Sequence, residues 1–246
     1  MSKEMKTERK AALVFGGSRG IGAAAVSRLV KDGFAVAFTY VSKPGKAEEL
    51  VDSITGQGGE AFSIAADSAD PKAIRAAVEQ AVKRFGPLSV VVVNAGLYRV
   101  GTVDAVSLED LDLMLNVNVR GVYLSIQAAA AQMQDGGRVI TIGSNVTIRT
   151  GSPGVSVYQF TKAAVAAMVK GLALDLAPRK ITVNNVQPGP TETDLTSGFL
   201  DYLSERSPLH RVAKPEEIAG LISYLAGEES SYMTGSSITI DGGYVL

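Results

Sequence analysis

The chain has 246 residues, 46% of them hydrophobic and 20% charged, with 26 glycines and a formal net charge of -1. That balance supplies a core covered on both faces, and no broad field would draw the chain to nucleic acid or to anionic lipid. The absence of cysteine excludes disulfides, thiolate zinc sites and a cysteine nucleophile. Residues 1–9 are a polar tail without an apolar centre, which does not read as a secretory leader. No apolar run is long enough to span a membrane, and the expected location is the cytoplasm. Ala11 to Phe15 is a short apolar run that stops at glycines, and Ile21 to Val30 follows with helix-forming residues, so a strand, a tight turn and a helix are predicted.

The pattern then repeats. Strands are predicted at 34–40, 61–65, 89–94, 138–144, 181–187 and 236–240, with amphipathic stretches at 46–55, 71–85, 108–133, 158–176 and 215–225 between them. Nearly all the strands are continuously apolar, as strands buried on both faces are. Such alternation predicts the α/β class: a doubly wound parallel sheet with right-handed crossovers and functional loops at the carboxyl ends of its strands. No linker divides residues 10–246, which are expected to form a single domain. Alternation lapses only at 187–214, rich in Pro, Thr and Ser, where a mobile loop with a short helix would suit a lid over a cleft.

Gly16-Gly17-Ser18-Arg19-Gly20-Ile21-Gly22 lies between the first strand and its helix. A dinucleotide pyrophosphate would there meet free backbone N–H groups and the positive end of the helix dipole. A tight turn that merely needs positive φ would use glycine in the same way. Gly16 to Gly20 also fits the hydrolase pattern GxSxG with Ser18 as nucleophile. That reading needs a histidine base, and His210, inside the predicted lid, is the chain's one histidine.

At the end of the second strand, where a carboxylate would hold both ribose hydroxyls of NAD, the sequence has Thr39-Tyr40-Val41-Ser42-Lys43. Ser42 and Lys43 can instead receive a 2′-phosphate, and Arg19 can reach the same region, so NADP(H) is the expected cofactor.

Tyr158 and Lys162 lie four residues apart at the start of an alanine-rich stretch, on one face of a helix. An ammonium beside a phenol favours the phenolate, so the tyrosine is expected to exchange protons closer to neutral pH than its ordinary value of about 10 allows. Ser144, at the end of the preceding predicted strand, would bring a hydroxyl to the same edge of the sheet.

With the glycine turn, Asn94-Ala95-Gly96, Asn118, Ser144, Tyr158 with Lys162, Pro188-Gly189, Thr234-Gly235 and Asp241-Gly242-Gly243 in this order, the chain from about Lys10 onward resembles the short-chain dehydrogenase/reductases. The resemblance implies a Rossmann-like sheet of seven strands, usually assembled as a homotetramer. It implies Tyr158 as proton donor to a substrate carbonyl, Ser144 as holder of that oxygen, and Lys162 as the group that lowers the tyrosine pKa and binds the nicotinamide ribose. Asn118 would fix a water in a proton relay. Asp67, with Ser68, would meet the adenine; for Asp67 a helix cap ahead of Pro71 is the structural alternative. Tyr40 would belong to the cofactor site, Asn94 to Gly96 would line the cofactor, and Thr191 and Thr193 after Pro188-Gly189 would meet its carboxamide.

The sequence departs from the family at Phe15 and Val93, where a polar contact is replaced by apolar residues. The interval from Ser144 to Tyr158 is also about one residue longer than usual, which admits Asn145 as an alternative to the serine. The chain is similar to 3-oxoacyl-[acyl-carrier-protein] reductases and broad carbonyl reductases, which implies a ketone, alcohol or acyl thioester substrate. It is also similar to a subgroup with a cyclic-di-GMP-binding biofilm dispersal mediator, which implies a rival role as a nucleotide sensor.

Overall fold

The computed structural model describes residues 9–246; residues 1–8 of the expected tail lie outside the described residues. The first half of the chain runs β1 Ala11–Phe15, α1 Gly20–Lys31, β2 Ala35–Tyr40, α2 Pro44–Gly56, β3 Ala61–Ala65, α3 Pro71–Phe85 and β4 Leu88–Val93. The second runs α4 Leu108–Leu115, α5 Val122–Ala130, β5 Met133–Ile142, α6 Ser156–Leu176, β6 Thr182–Pro188, α7 Leu200–Arg206, α8 Pro215–Ala226 and β7 Ser237–Ile240. The strands form one seven-stranded sheet in the order β3-β2-β1-β4-β5-β6-β7, and every pairing is parallel.

Strand sidedness explains the unbroken apolar runs. In β1, Ala11, Leu13 and Phe15 join a core with Ile74 and Val78 of α3, Ile126 of α5 and Val165 and Val169 of α6. Ala12 and Val14, on the opposite face, join Val26 and Leu29 of α1, Ile54 of α2 and Ile218, Ile222 and Leu225 of α8. β4 divides in the same way, with Val91 and Val93 on one side and Val90 and Val92 on the other. Two helical layers therefore cover the sheet, and alternation of apolar with polar residues has no place in it.

The chain moves outward from β1 to β3 and then returns to β4 on the other side of β1. The winding direction reverses between β1 and β4, and the crevice outside their carboxyl ends is the position where such sheets take ligands.

The second half departs from expectation in two places. The stretch 108–133 is not one helix: a π-helical turn, Asn116–Gly121, separates α4 from α5. Gly121 is required there because a Cβ would come within 2.2 Å of the Ser68 carbonyl oxygen. β5 begins at Met133, ahead of the expected 138, because Gln134-Asp135-Gly136-Gly137 has the composition of a turn but continues the strand. The same strand ends at Ile142, so Ser144 lies beyond it, as N-cap of the short 3₁₀ turn Asn145–Thr147. Residues 187–214 contain α7, and Thr191 bridges to Ala213 across the base of the segment.

Candidate active site

The glycine turn and the end of β4 form one unit at the crevice. Gly16 N–H donates to Thr39 Oγ1 and Gly17 N–H to the Thr39 carbonyl, each at 2.9 Å. Asn94 Nδ2 donates to the Gly16 carbonyl at 2.7 Å, while the N–H groups of Asn94 and Ala95 both reach the Phe15 carbonyl. Gly16 has a φ of +74°, and a Cβ on it would lie 2.8 Å from Ala95 Cα; a Cβ on Gly22 would lie 2.0 Å from the Gly16 oxygen. Only glycine allows this closeness. Arg19 caps α1 without a side-chain hydrogen bond, and the first turn has no acid. The helix N-terminus thus keeps its donors and its positive end for an anion. Ser18, Gly20 and Ile21 are half-buried along this turn.

Beside the glycine turn β2 ends at Tyr40, and Ser42 and Lys43 follow in the open. Lys43 adopts the left-handed conformation, φ 67°, at the entry to α2. Arg19 Nη1 and Lys43 Nζ both reach Asp194 Oδ2, at 2.9 and 3.5 Å. Sequence reasoning gave Asp194 no role. Asp67 is exposed, and its Oδ1 accepts the Ala69 N–H at 2.8 Å; the cap ahead of Pro71 is Asp70, which accepts the Lys72 N–H. Ser68 is buried with its carbonyl against Gly121.

Tyr158 and Lys162 share the first turns of α6, with Ser144 across from them. Lys162 is 4% exposed and donates to the Ile142 carbonyl at 2.8 Å; its nitrogen is 5.7 Å from the Tyr158 ring centre. Ser144 Oγ accepts the Val146 N–H at 3.2 Å, which leaves its own proton free to donate. Asn145 turns away and donates to Asp241 Oδ2, so the serine, not the asparagine, faces the tyrosine. Gly96 borders this space: a Cβ there would lie 3.4 Å from Lys162 Nζ and 3.7 Å from Asn118 Oδ1.

Asn118, on the π-helical turn, accepts the Leu97 N–H and donates to the Leu97 carbonyl, both at 2.8 Å, and donates to Thr161 Oγ1 at 3.2 Å. Its side chain ties the loop after β4 to α6.

The expected tuning of the tyrosine by the lysine needs correction. Desolvation pushes the Tyr158 hydroxyl up to about 12; contact with Ser144 pulls it down and the neighbouring Tyr98 adds to the rise. Desolvation also brings Lys162 down to about 8. Burial is the largest influence on the phenol, and the ammonium donates to the Ile142 carbonyl. Tyr98 stands edge-on to Tyr158 with ring centres 4.9 Å apart.

Beyond β6, Gly189 N–H donates to the Ile240 carbonyl, and a Cβ at Gly189 would meet Asp241 Cβ at 2.4 Å. Pro188 is buried as the last residue of β6. Thr191 is buried and donates to the Gly189 carbonyl, whereas Thr193 Cγ2 would lie 3.2 Å from a Cβ on Gly20. Of the two expected carboxamide contacts, Thr193 lies at the glycine turn and the Thr191 hydroxyl is engaged within its own segment.

Comparison with known proteins agrees with this fold. The profile of a family described as enoyl-(acyl carrier protein) reductase matches residues 16–245. A short-chain dehydrogenase/reductase from Serratia marcescens BCRC 10948 is 48% identical and superposes with a TM-score of 0.94, over 96% of this chain and 98% of that one. The chain belongs to the short-chain dehydrogenase/reductase family. A further member, from Burkholderia cenocepacia J2315 and crystallised with NADP, is 43% identical with a TM-score of 0.93, covering 96% and 98% of the two chains. A cyclic-di-GMP-binding biofilm dispersal mediator protein of Escherichia coli (strain K12) is 40% identical over 238 residues, 96% of this chain and 97% of its own length.

As a member of an oxidoreductase family, the short-chain dehydrogenase/reductase described here needs no nucleophilic serine. His210, the base that the hydrolase pattern would need, is exposed. Phe15 and Val93, the departures from the family, are register partners in β1 and β4, both buried in the same core. The polar tie between these regions is made instead by Asn94 with the Gly16 carbonyl. An NADP(H) dinucleotide fits the residues present: glycines at each close approach, an uncapped helix N-terminus, and two cations, Arg19 of the glycine turn and Lys43 beyond β2, already sharing one anionic oxygen. Among the described residues no helix is long and apolar enough to cross a membrane.

Proposed function

We propose that this short-chain dehydrogenase/reductase is an NADP(H)-dependent reductase of ketones or 3-oxoacyl thioesters, acting in reverse on the corresponding alcohols. The reading rests on one observation: Ser144, Tyr158 and Lys162 converge beside Gly96, at the crevice whose far side carries Arg19 and Lys43. The acyl-carrier-protein description of the matching family profile supports a thioester among the substrates. The bound dinucleotide supplies a hydride from its nicotinamide C4.

The chain's own groups hold and protonate. Tyr158 donates its proton to the carbonyl oxygen, and Ser144 donates a hydrogen bond to the same oxygen. A hydroxyl kept protonated up to about 12 is loaded for this task at neutral pH. Lys162 offers its two remaining donors to ribose hydroxyls. Asn118 holds the loop that positions them. The backbone from Gly16 to Gly22, with Ser18 and Ile21, receives the pyrophosphate, and Arg19, Ser42 and Lys43 receive the 2′-phosphate. Tyr40, Asp67 and Ser68 flank the adenine, Asn94 to Gly96 line the middle, and Pro188, Gly189, Thr191 and Thr193 border the carboxamide. Residues 187–214 form the substrate loop of a single domain, 10–246.

Exposed apolar side chains on successive helices, Tyr123 of α5 with Phe160 and Leu174 of α6, support a homotetramer, which sedimentation would detect. The test of the activity is oxidation of NADPH across simple ketones and 3-oxoacyl thioesters. Turnover with one of these classes is expected, and none with any of them removes the reading.

The likeness to the biofilm dispersal mediator favours a second reading, a cyclic-di-GMP-binding regulator in which turnover is incidental. A pure binder gains nothing from a positioned proton donor, which is why the enzyme is preferred. Titration with cyclic-di-GMP separates the two: tight binding with no NADPH oxidation would make this chain the regulator.

A further inference from the structure

Asp194 belongs to the segment between β6 and α8, far in sequence from the glycine turn, yet its Oδ2 is shared by Arg19 Nη1 at 2.9 Å and Lys43 Nζ at 3.5 Å. Each of the three side chains is about half exposed, 51% for both cations and 49% for the acid. The neighbouring Thr193 lies over Gly20, which fixes where this part of the segment crosses the turn. Lys43 reaches the acid from a left-handed backbone position that lysine seldom adopts. The Arg19 hydrogen bond and the Lys43 charge lower the Asp194 carboxyl from its ordinary value, which favours its anionic form.

We propose that Asp194 is a built-in competitor for the 2′-phosphate of the cofactor: its carboxylate occupies the cation pair in the free protein, and a phosphate monoester, but not a ribose hydroxyl, displaces it. This rests on the NADP(H) reading above. The exchange is favourable because a phosphate monoester carries about -1.5 to -2 charges at neutral pH, against one on the carboxylate, and presents more acceptor oxygens to the same donors. Exposed ion pairs are individually weak, so the tie is easily broken by the stronger anion. A ligand with only a 2′-hydroxyl leaves the acid in place and the 187–214 segment tied to the adenosine side. Asp194 thus sets how sharply the protein distinguishes the two dinucleotides, although it makes no lasting contact with either.

The test is isothermal titration of wild type and Asp194→Asn with adenosine 2′,5′-bisphosphate and with AMP, at low and at high salt. Removing the charge is expected to tighten the bisphosphate by roughly threefold to tenfold at low salt, with AMP unchanged within about twofold and the gain shrinking at high salt. In an Arg19→Gln/Lys43→Gln background, Asp194→Asn is expected to change nothing, because the competitor has lost its partners. If wild type prefers the bisphosphate to AMP and Asp194→Asn leaves that preference unchanged or lowers it, the acid is a positioning group and the proposal falls alone. If neither protein prefers the bisphosphate, the NADP(H) reading falls and the proposal with it. Enhanced preference that survives in the doubly neutralised background also overturns it, since the effect would then not pass through the cations.

Discussion

A phenol, a hydroxyl and an ammonium meet in the crevice, and their environments set what each can do. Tyr158→Phe removes the proton donor but not the ring or its neighbours. Reduction should fall by roughly 10²- to 10⁴-fold while NADPH affinity stays within about twofold, as steady-state rates and titration would show. Lys162 is charged and buried at neutral pH, with a folded pKa near 8 against an ordinary 10.5. Below pH 8 both folded and unfolded chains carry its proton and the fold bears the cost of burying it. Between about 8 and 10.5 the unfolded chain keeps a proton that the folded chain gives up, so stability rises with pH across that window. Lys162→Met should therefore stabilise the protein by up to about 3 kcal/mol at pH 7, a margin that narrows toward pH 10 in urea titrations. An advantage that stayed constant with pH would mean the lysine's charge is not the cause. Spacing brought Tyr158 and Lys162 to one helix face, but burial of their polar ends depends on contacts with Ile142 and Tyr98 that no local pattern reveals.

The elements were legible where period and punctuation agree. β1, the glycine turn and α1 are visible in the sequence because an apolar run, closely spaced glycines and helix formers succeed one another. Gly22 is required for contact rather than for φ: a Cβ would sit 2.0 Å from the Gly16 oxygen. Gly22→Ala should abolish titratable NADPH binding even if circular dichroism shows the fold kept; normal affinity in a folded variant would show that the turn can yield. The π-helical turn at Asn116–Gly121 was invisible, since one widened turn hardly disturbs an amphipathic pattern. Thr39 left a usable trace, a hydroxyl in the otherwise apolar run Ala35–Tyr40, and it holds both Gly16 and Gly17. Asp194 left none, because its partners come from two other segments.

Across the whole molecule, stability resides in the two layers packed on one sheet. Ile222 is fully buried in the layer made by α1, α2 and α8, on the face opposite α6, which carries Tyr158 and Lys162. Ile222→Ala should lower unfolding free energy by about 2–5 kcal/mol in denaturant titration, with kcat per folded molecule unchanged. A larger effect on kcat than on stability would mean that the two faces are coupled. The doubly wound topology followed from strand-helix alternation, whereas the partition of each strand between two cores became apparent only in three dimensions. The turn Asn116–Gly121 is in contact with both ends of the crevice: Asn118 grips Leu97 and Thr161 at one end, and Gly121 presses on Ser68 at the other. Such a segment acts as a spacing gauge. Any substitution that unwinds its single wide turn changes the separation between the two ends, so attempts to redesign nucleotide choice are best confined to the loop around Lys43, which can be altered without resetting that length.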